Sequence, residues 1–371
     1  MNFNKNLTVF NQKINEHQGP KNHLNILESL ILKFEKEDII KRICKIREEI
    51  GHQSVKPSIE EIRYDEKRKI MLIITSDRPE KSTVIGKGGW VVGKLKEELN
   101  INSIHVEAYP DILLKEYKIK LTQNKLDELL KSPNLSNFNP IINLSKLLAL
   151  RLENIYDFES VLTNFDDAKE ENENTAIVAL SGGVDSSFSL IVAKTLGFNP
   201  IAVTVNPGTI ILPKYFQKNV ENLSSKLNVN HHYLEVEMDD IIKDSLEGRL
   251  HPCGRCSKVI KGAVFNYAKE IGVPFLIYGD LLTTGSGSIV QEEGIIKINL
   301  PAMLSVSKGE IKNITSKYDI LSKGGYGCPL INEVHKKYPH MRKFSLQRVL
   351  RETRAGVLEP GEALEMIMKT I

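Results

Sequence analysis

Residues 181–187 read Ser-Gly-Gly-Val-Asp-Ser-Ser and follow directly on the apolar run 176–180. The run predicts a buried parallel strand, and the apolar spacing after the loop predicts a helix. A strand, a Gly/Ser turn and a helix N-terminus make a cradle for phosphate. Gly182 and Gly183 let the backbone turn tightly enough for successive N–H groups to converge. Ser181, Ser186 and Ser187 add hydroxyl donors, and the helix end adds partial positive charge. No Gly-Lys-Ser/Thr follows, which excludes a Walker A loop, and the glycine spacing is not that of a dinucleotide fold. Asp185, inside the loop, can hold Mg2+, or cap the helix by accepting backbone N–H bonds.

A second group of reactive side chains is formed by cysteines, of which the chain has four. Cys44 shares an apolar helical face with Ile40, Ile43 and Ile50, so core packing accounts for it. Cys253 and Cys256 form a CxxC just before a predicted helix. Cys328 lies far downstream in a Gly-rich turn ahead of Pro329, where close backbone approach is expected. Helix termini and the charges of Arg255, Lys258 and Lys261 should favour thiolates. Three chemistries suit such a set: three ligands of a [4Fe-4S] cluster with one iron left open, a zinc site completed by His251 or another residue, or a persulfide on one cysteine that a second resolves as a disulfide. Asp280 follows the predicted strand 274–279 and is a second candidate for Mg2+ or for positioning a nucleotide, with turn formation as the plain alternative. Lys258, Lys261 and Lys308 are candidate phosphate contacts, against the simpler expectation of solvated surface lysines.

SGGVDSS is the signature of the PP-loop ATP pyrophosphatases, and the chain resembles that superfamily here. The resemblance implies adenylation of a substrate oxygen, release of pyrophosphate, and displacement of AMP by a nucleophile. A CxxC after such a loop in the same α/β domain, with one further distant cysteine, resembles the iron–sulfur-dependent tRNA thiolation enzymes, namely the 2-thiocytidine and 2-thiouridine synthetases and the archaeal type of 4-thiouridine synthetase. That resemblance implies ATP held by Ser181, Gly182, Gly183, Asp185, Ser186 and Ser187, with Mg2+ at Asp185. It implies a [4Fe-4S] cluster on Cys253, Cys256 and Cys328, with these cysteines, Asp185 and Asp280 doing the catalytic work. The implied partners are tRNA and either sulfide or a sulfur-donor protein, and a homodimer is one implied assembly. The sequence departs from that group after the strand 274–279: Asp280 stands where the group has a histidine, and Thr283 and Thr284 stand where it has acids.

Ahead of this region the order is helix, two strands joined by a charged turn at 65–68, helix, Gly-Lys-Gly-Gly, helix, strand. Over residues 24–110 that order resembles a KH domain of the type II topology. Gly86, Lys87, Gly88 and Gly89 stand as its GxxG loop, which the resemblance implies to be the RNA-binding element. A tight glycine turn lets backbone N–H groups approach a nucleic-acid backbone that bulkier residues would hold away. Trp90, the only tryptophan, is expected to anchor the next helix in the core, with base stacking as the alternative.

The elements that must position these groups follow from the alternation of pattern. Strands at 176–180, 200–205, 231–236 and 274–279 alternate with helices, which predicts a doubly wound parallel α/β sheet with ligands at the carboxyl ends of its strands. The expected layout is an N-terminal tail 1–23, a small α+β KH-like domain 24–110, a helical connector with an acidic linker 111–174, the PP-loop domain 175–340, and C-terminal helices 341–371. Within the connector, 113–132 reads as a strand or helix followed by a helix. At 371 residues and a net charge of +3, the chain is long enough for two or three domains and too weakly basic for charge alone to argue nucleic-acid binding. No apolar run long enough to span a membrane and no signal-peptide pattern occur, so a cytoplasmic protein is expected. Two other functions fit the same residues: a PP-loop sulfur transferase or amide-forming ligase acting on a small molecule, and a non-catalytic RNA-binding protein with a nucleotide-sensing domain.

Overall fold

The structure is a computed structural model that describes residues 34–53, 55–133, 135–166, 174–320 and 327–370. The expected tail 1–23, the first residues of the helix expected from 24, and nearly all of the acidic linker lie outside the described residues. The chain divides into two compact units, Met1–Ile112 and Leu113–Ile371.

The first unit runs α1 (Lys36–Glu49), β1 (Ile59–Asp65), β2 (Ile70–Thr75), α2 (Arg78–Ile85), a short 3-10 turn (Lys87–Gly89), α3 (Trp90–Leu99) and β3 (Ser103–Ala108). Strand β2, Ile-Met-Leu-Ile-Ile-Thr, is apolar almost throughout and takes the centre of the sheet, antiparallel to β1 and parallel to β3. Ile39, Ile43 and Ile46 recur at helical spacing on α1 and pack with Met71, Ile73, Val84, Val91 and Leu95. Cys44 is partly buried beside this core, as its apolar face predicts. Asp77 starts α2 by accepting the Glu80 N–H.

Trp90 corrects an expectation. It is 67% exposed, not a core anchor. Val91 and Leu95 turn to the interior of α3 and fill the space against α1 instead.

Helix α4 (Tyr109–Leu130) begins at the end of the first unit and continues into the second as one continuous helix through the segment left open between strand and helix, with Pro110 tolerated in its first turn. Next come α5 (Asn139–Glu153) and α6 (Phe158–Leu162). The sheet follows as β4 (Thr175–Ala179), α7 (Val184–Thr195), β5 (Asn199–Asn206), α8 (Lys214–Lys226), β6 (Asn230–Glu235), α9 (Asp239–Leu246), α10 (Pro252–Glu270) and β7 (Phe275–Tyr278). A hairpin β8 (Ile289–Glu292)–β9 (Ile295–Asn299) leads into α11 (Leu300–Met303), α12 (Lys308–Ser316), α13 (Pro329–Lys337), α14 (Arg342–Arg354) and α15 (Pro360–Thr370). Strand order is β6-β5-β4-β7-β9-β8, parallel except for β8 against β9.

This is the doubly wound parallel sheet that the alternation predicts. From β4 the chain winds outward through β5 and β6, then returns to add β7 on the other side. The crevice between β4 and β7 is therefore a topological switch point, where ligands of such sheets bind. The β8–β9 hairpin was not anticipated. Its turn places both Glu293 (φ 48°) and Gly294 (φ 83°) in the left-handed region, as a tight primed turn requires. No helix among the described residues is long and apolar enough to cross a membrane.

Candidate nucleotide and cysteine site

The loop after β4 is closed by contacts that leave little freedom. Gly182 has φ +77°, and a Cβ there would lie 2.3 Å from the Phe216 carbonyl oxygen on α8, so only glycine fits. Its own carbonyl accepts a hydrogen bond from Asn219 Nδ2 at 2.9 Å. Gly183 is the N-cap of α7. Ser186 Oγ donates to the Gly183 carbonyl (3.1 Å), accepts the Ser181 N–H (3.1 Å) and lies 3.0 Å from Ser181 Oγ. Ser181 is exposed at the mouth of the loop, whereas Ser187 is fully buried with no partner for its hydroxyl, so it faces the interior of α7.

Asp185 points at a lysine. Lys308 Nζ lies 2.5 Å from its carboxylate, and the two side chains are 12% and 23% exposed respectively. Lys308 is therefore not the solvated surface lysine of the simpler expectation. It begins α12, whose capping box fixes its backbone: Ser307 Oγ accepts the Glu310 N–H, and Glu310 Oε2 accepts the Ser307 N–H at 2.8 Å. The other oxygen of Glu310 accepts a 2.6 Å hydrogen bond from Arg151 of α5. Arg151 is completely buried, with its guanidinium over the Phe158 ring and no hydrogen-bond partner for Nε or Nη1.

Strand β7 brings Asp280 to the same place. A Cβ on Gly279 would lie 2.8 Å from the Asp185 carbonyl carbon and the Ser186 nitrogen, so the chain after β7 lies against the first turn of α7. Ser189 Oγ ties that turn to the Tyr278 carbonyl at 3.1 Å. Asp280 pairs with Lys261 of α10 at 3.3 Å and accepts the Leu282 N–H at 3.1 Å. Burial acts to raise the Asp280 pKa. The Leu282 N–H, the charge and hydrogen bond of Lys261, and the charge of Arg348 together outweigh it, and the carboxyl sits below its ordinary value. Lys258 is exposed.

Cys253 and Cys256 occupy the first turns of α10, and Cys328 is the N-cap residue of α13. All are free thiols. Helix α13, which Cys328 begins, packs on α10, and the charge of Cys328 acts on both CxxC thiols and on Tyr215. Tyr215 adjoins Phe216, whose carbonyl lies against Gly182. The expected bias toward thiolates is not found. Burial, then the proximity of Cys328, pushes Cys253 up to about 11 and raises Cys256 as well, outweighing helix ends and the nearby cation Arg348.

His251, the N-cap residue of α10, has a buried Nε2 with no partner, and its ring lies against those of Phe344 and His335. Among the described residues no group of three His, Cys, Asp or Glu is arranged to hold a metal ion. As placed, these side chains form no ready metal site, which bears on zinc and on cluster irons alike. Thiols at two helix N-termini are a soft donor set that gives up its protons when a positive group binds.

Several residues around the site carry no recognisable spacing in the sequence. Arg348 of α14 acts on both Cys253 and Asp280. Asn219, Arg151 and Glu310 support the loop and Lys308 from segments remote in sequence. Only the helical pattern of their segments was visible beforehand.

No family model matches the chain. It is 32% identical over 263 residues to the uncharacterized protein MJ1638 of Methanocaldococcus jannaschii, a match that covers 68% of this chain and 97% of that one. It is 32% identical over 121 residues to a tRNA-specific 2-thiouridylase MnmA of Clostridium botulinum, covering 29% of this chain and 34% of the enzyme. A distant homologue is thus a tRNA-modifying sulfurtransferase, matched over about a third of its length. Among solved structures, the U34-tRNA thiolase NcsA from Methanococcus maripaludis with its [4Fe-4S] cluster aligns at a TM-score of 0.33 and 15% identity, over 56% of this chain and 74% of that one, too slight a likeness to argue from.

Proposed function

The chain belongs to one family with the Methanocaldococcus jannaschii protein MJ1638, and we propose that it is an ATP-dependent tRNA sulfurtransferase that replaces a base carbonyl oxygen with sulfur. What carries this reading is one juxtaposition: the first turn of α7, in the Ser-Gly-Gly-Val-Asp-Ser-Ser loop, lies against Gly279, and the next residue, Asp280, pairs with Lys261 of α10, the helix whose first turns carry Cys253 and Cys256 and on which the Cys328 helix α13 packs.

The terminal phosphates of ATP lie on the loop amides and Ser181, at the positive end of α7. Asp185 and Asp280 would hold Mg2+, which would screen the phosphate charge, and Lys308, paired with Asp185, is the cation placed to meet phosphate beside them. The carbonyl oxygen of a pyrimidine attacks the α-phosphorus, and pyrophosphate leaves. The base oxygen now departs as part of AMP, a far better leaving group than oxide. Cys253, Cys256 and Cys328 would hold a [4Fe-4S] cluster, whose chemistry there would be to present external sulfide as the nucleophile that displaces AMP. Exclusion of water protects the adenylate from hydrolysis.

The first unit is read as a type II KH-like domain that holds the RNA. Its helix-strand-strand-helix-helix-strand order, the parallel β2–β3 pair and the Gly-Lys-Gly-Gly turn between α2 and α3 support that reading.

Anaerobically prepared protein should release pyrophosphate from ATP in a tRNA-dependent manner, and a strain lacking it should lose one thionucleoside from bulk tRNA. An unchanged thionucleoside profile, with pyrophosphate release indifferent to tRNA, removes tRNA as the substrate and favours a small acceptor.

A further inference from the structure

We propose that Trp90 is a base-stacking platform for single-stranded RNA, set beside the Gly-Lys-Gly-Gly loop. The inference rests on reading the first unit as an RNA-binding domain and adds a contact that a glycine loop alone does not supply: an aromatic face for a nucleobase.

Trp90 exposes two-thirds of its surface although Trp is among the side chains that gain most from burial. It is not a loose side chain. A Cβ built on Gly88 would stand 3.4 Å from Trp90 Cδ1 and 3.7 Å from Nε1, so the edge of the indole lies along the loop backbone. Gly88 (φ +65°) and Gly89 (φ +78°) keep this surface bare, and a Cβ on Gly89 would meet nothing within 4 Å.

Charge selects the occupant. The loop carries Lys87 and no acid, and the first turn of α3 has no carboxylate to offset its positive end, whereas Lys94 farther along α3 is paired with Glu49 at 3.7 Å. A polyanion with exposed flat rings fits these features: phosphate on the loop, base on the indole. Single-stranded RNA offers both, whereas paired bases keep their faces stacked on each other.

Because Trp90 is the only tryptophan beside 11 tyrosines, emission excited at the long-wavelength edge, where tyrosine does not absorb, reports this residue alone. Titration with single-stranded oligouridylate and with a tRNA transcript should quench it saturably. Trp90→Ala should weaken binding of labelled RNA on the order of tenfold or more, and Trp90→Phe should restore most of that loss. Stacking releases no counterions, so Trp90→Ala should keep the salt dependence of the parent, whereas Lys87→Ala should lower the slope of log affinity against log salt by about one. Thermal midpoints should not move, given the exposure of the side chain. RNA binding without quenching, and with unchanged affinity in Trp90→Ala, overturns the platform and leaves the RNA-binding reading of the unit intact. Quenching by a protein partner in place of RNA overturns it in favour of a protein anchor. No binding of either RNA overturns both the platform and the RNA-binding reading, while tRNA-independent pyrophosphate release would still stand for the second unit.

Discussion

Lys308 Nζ lies 2.5 Å from both carboxylate oxygens of Asp185, across 123 residues of sequence. The pair joins the first turn of α7 to the first turn of α12, beside the phosphate cradle. A cation held this way balances the carboxylate charge, and in the proposed mechanism it is the group placed to meet phosphate.

Lys308→Ala and Asp185→Asn should each reduce pyrophosphate release on the order of a hundredfold, the scale of losing one preorganised charge partner of a transition state. Because the two act as a unit, the double variant should be little worse than either single one. Steady-state pyrophosphate assays on the three variants check this, and simple additivity would separate Lys308 from Asp185.

Gly182 and Gly183 should respond differently to alanine. At Gly182 the new Cβ meets the Phe216 carbonyl at 2.3 Å in a left-handed conformation, so Gly182→Ala should cost about 1–3 kcal/mol of stability and abolish ATP binding together. At Gly183 the only contact is Ser181 Oγ at 3.6 Å. Gly183→Ala should therefore keep its thermal midpoint, and any loss of ATP affinity measured by calorimetry would report ligand approach to that backbone.

The Cys253 thiol, pushed up to about 11, should be sluggish toward iodoacetamide in cluster-free protein. Its labelling rate should climb about tenfold per pH unit from neutrality until pH approaches that value, because only the thiolate reacts. Arg348 lowers the Cys253 pKa, so Arg348→Gln should slow labelling further at a fixed pH near 9. Mass spectrometry of the peptide that carries Cys253 follows both effects. Labelling at the rate of a free thiol would mean that burial does not govern this group.

Removing Arg151 strips a buried carboxylate of its cation. Arg151→Met should destabilise the second unit by about 3–5 kcal/mol in urea denaturation, and adding Glu310→Gln should recover part of that loss. Since Glu310 also closes the cap that begins with Ser307 and carries Lys308, the single variant should slow pyrophosphate release as well.

Much of the second unit was legible because its physics is local. An apolar run of five that leads into a Gly-rich loop, as 176–180 does, is short enough to read as a buried strand, and Gly182 supplies the left-handed φ that the loop needs. The β8–β9 hairpin was missed because its turn residues, Glu293 and Gly294, lie in an acidic stretch where Glu is not a usual left-handed residue. Trp90 was misplaced because hydrophobicity alone favours the core, while the neighbours Val91 and Leu95 had already filled it. The thiolate expectation failed for a related reason. Helix ends and lysines are visible in sequence, but desolvation of Cys253 arises only from tertiary packing. Lys308, Arg151 and Arg348 reach the site from segments that nothing in the spacing connects to it.

The closing helices α14 and α15 look, from sequence, like an appendix to the sheet. Yet Arg348 bears on both Cys253 and Asp280, Phe344 lies against His251, and the Val357 carbonyl accepts the Lys308 N–H at 2.9 Å. Shortening the protein at residue 340 would preserve every strand and every motif while removing the helices that bear on Lys308, His251 and Asp280. A fusion partner or affinity tag placed at that end would be felt first by the chemistry rather than by folding.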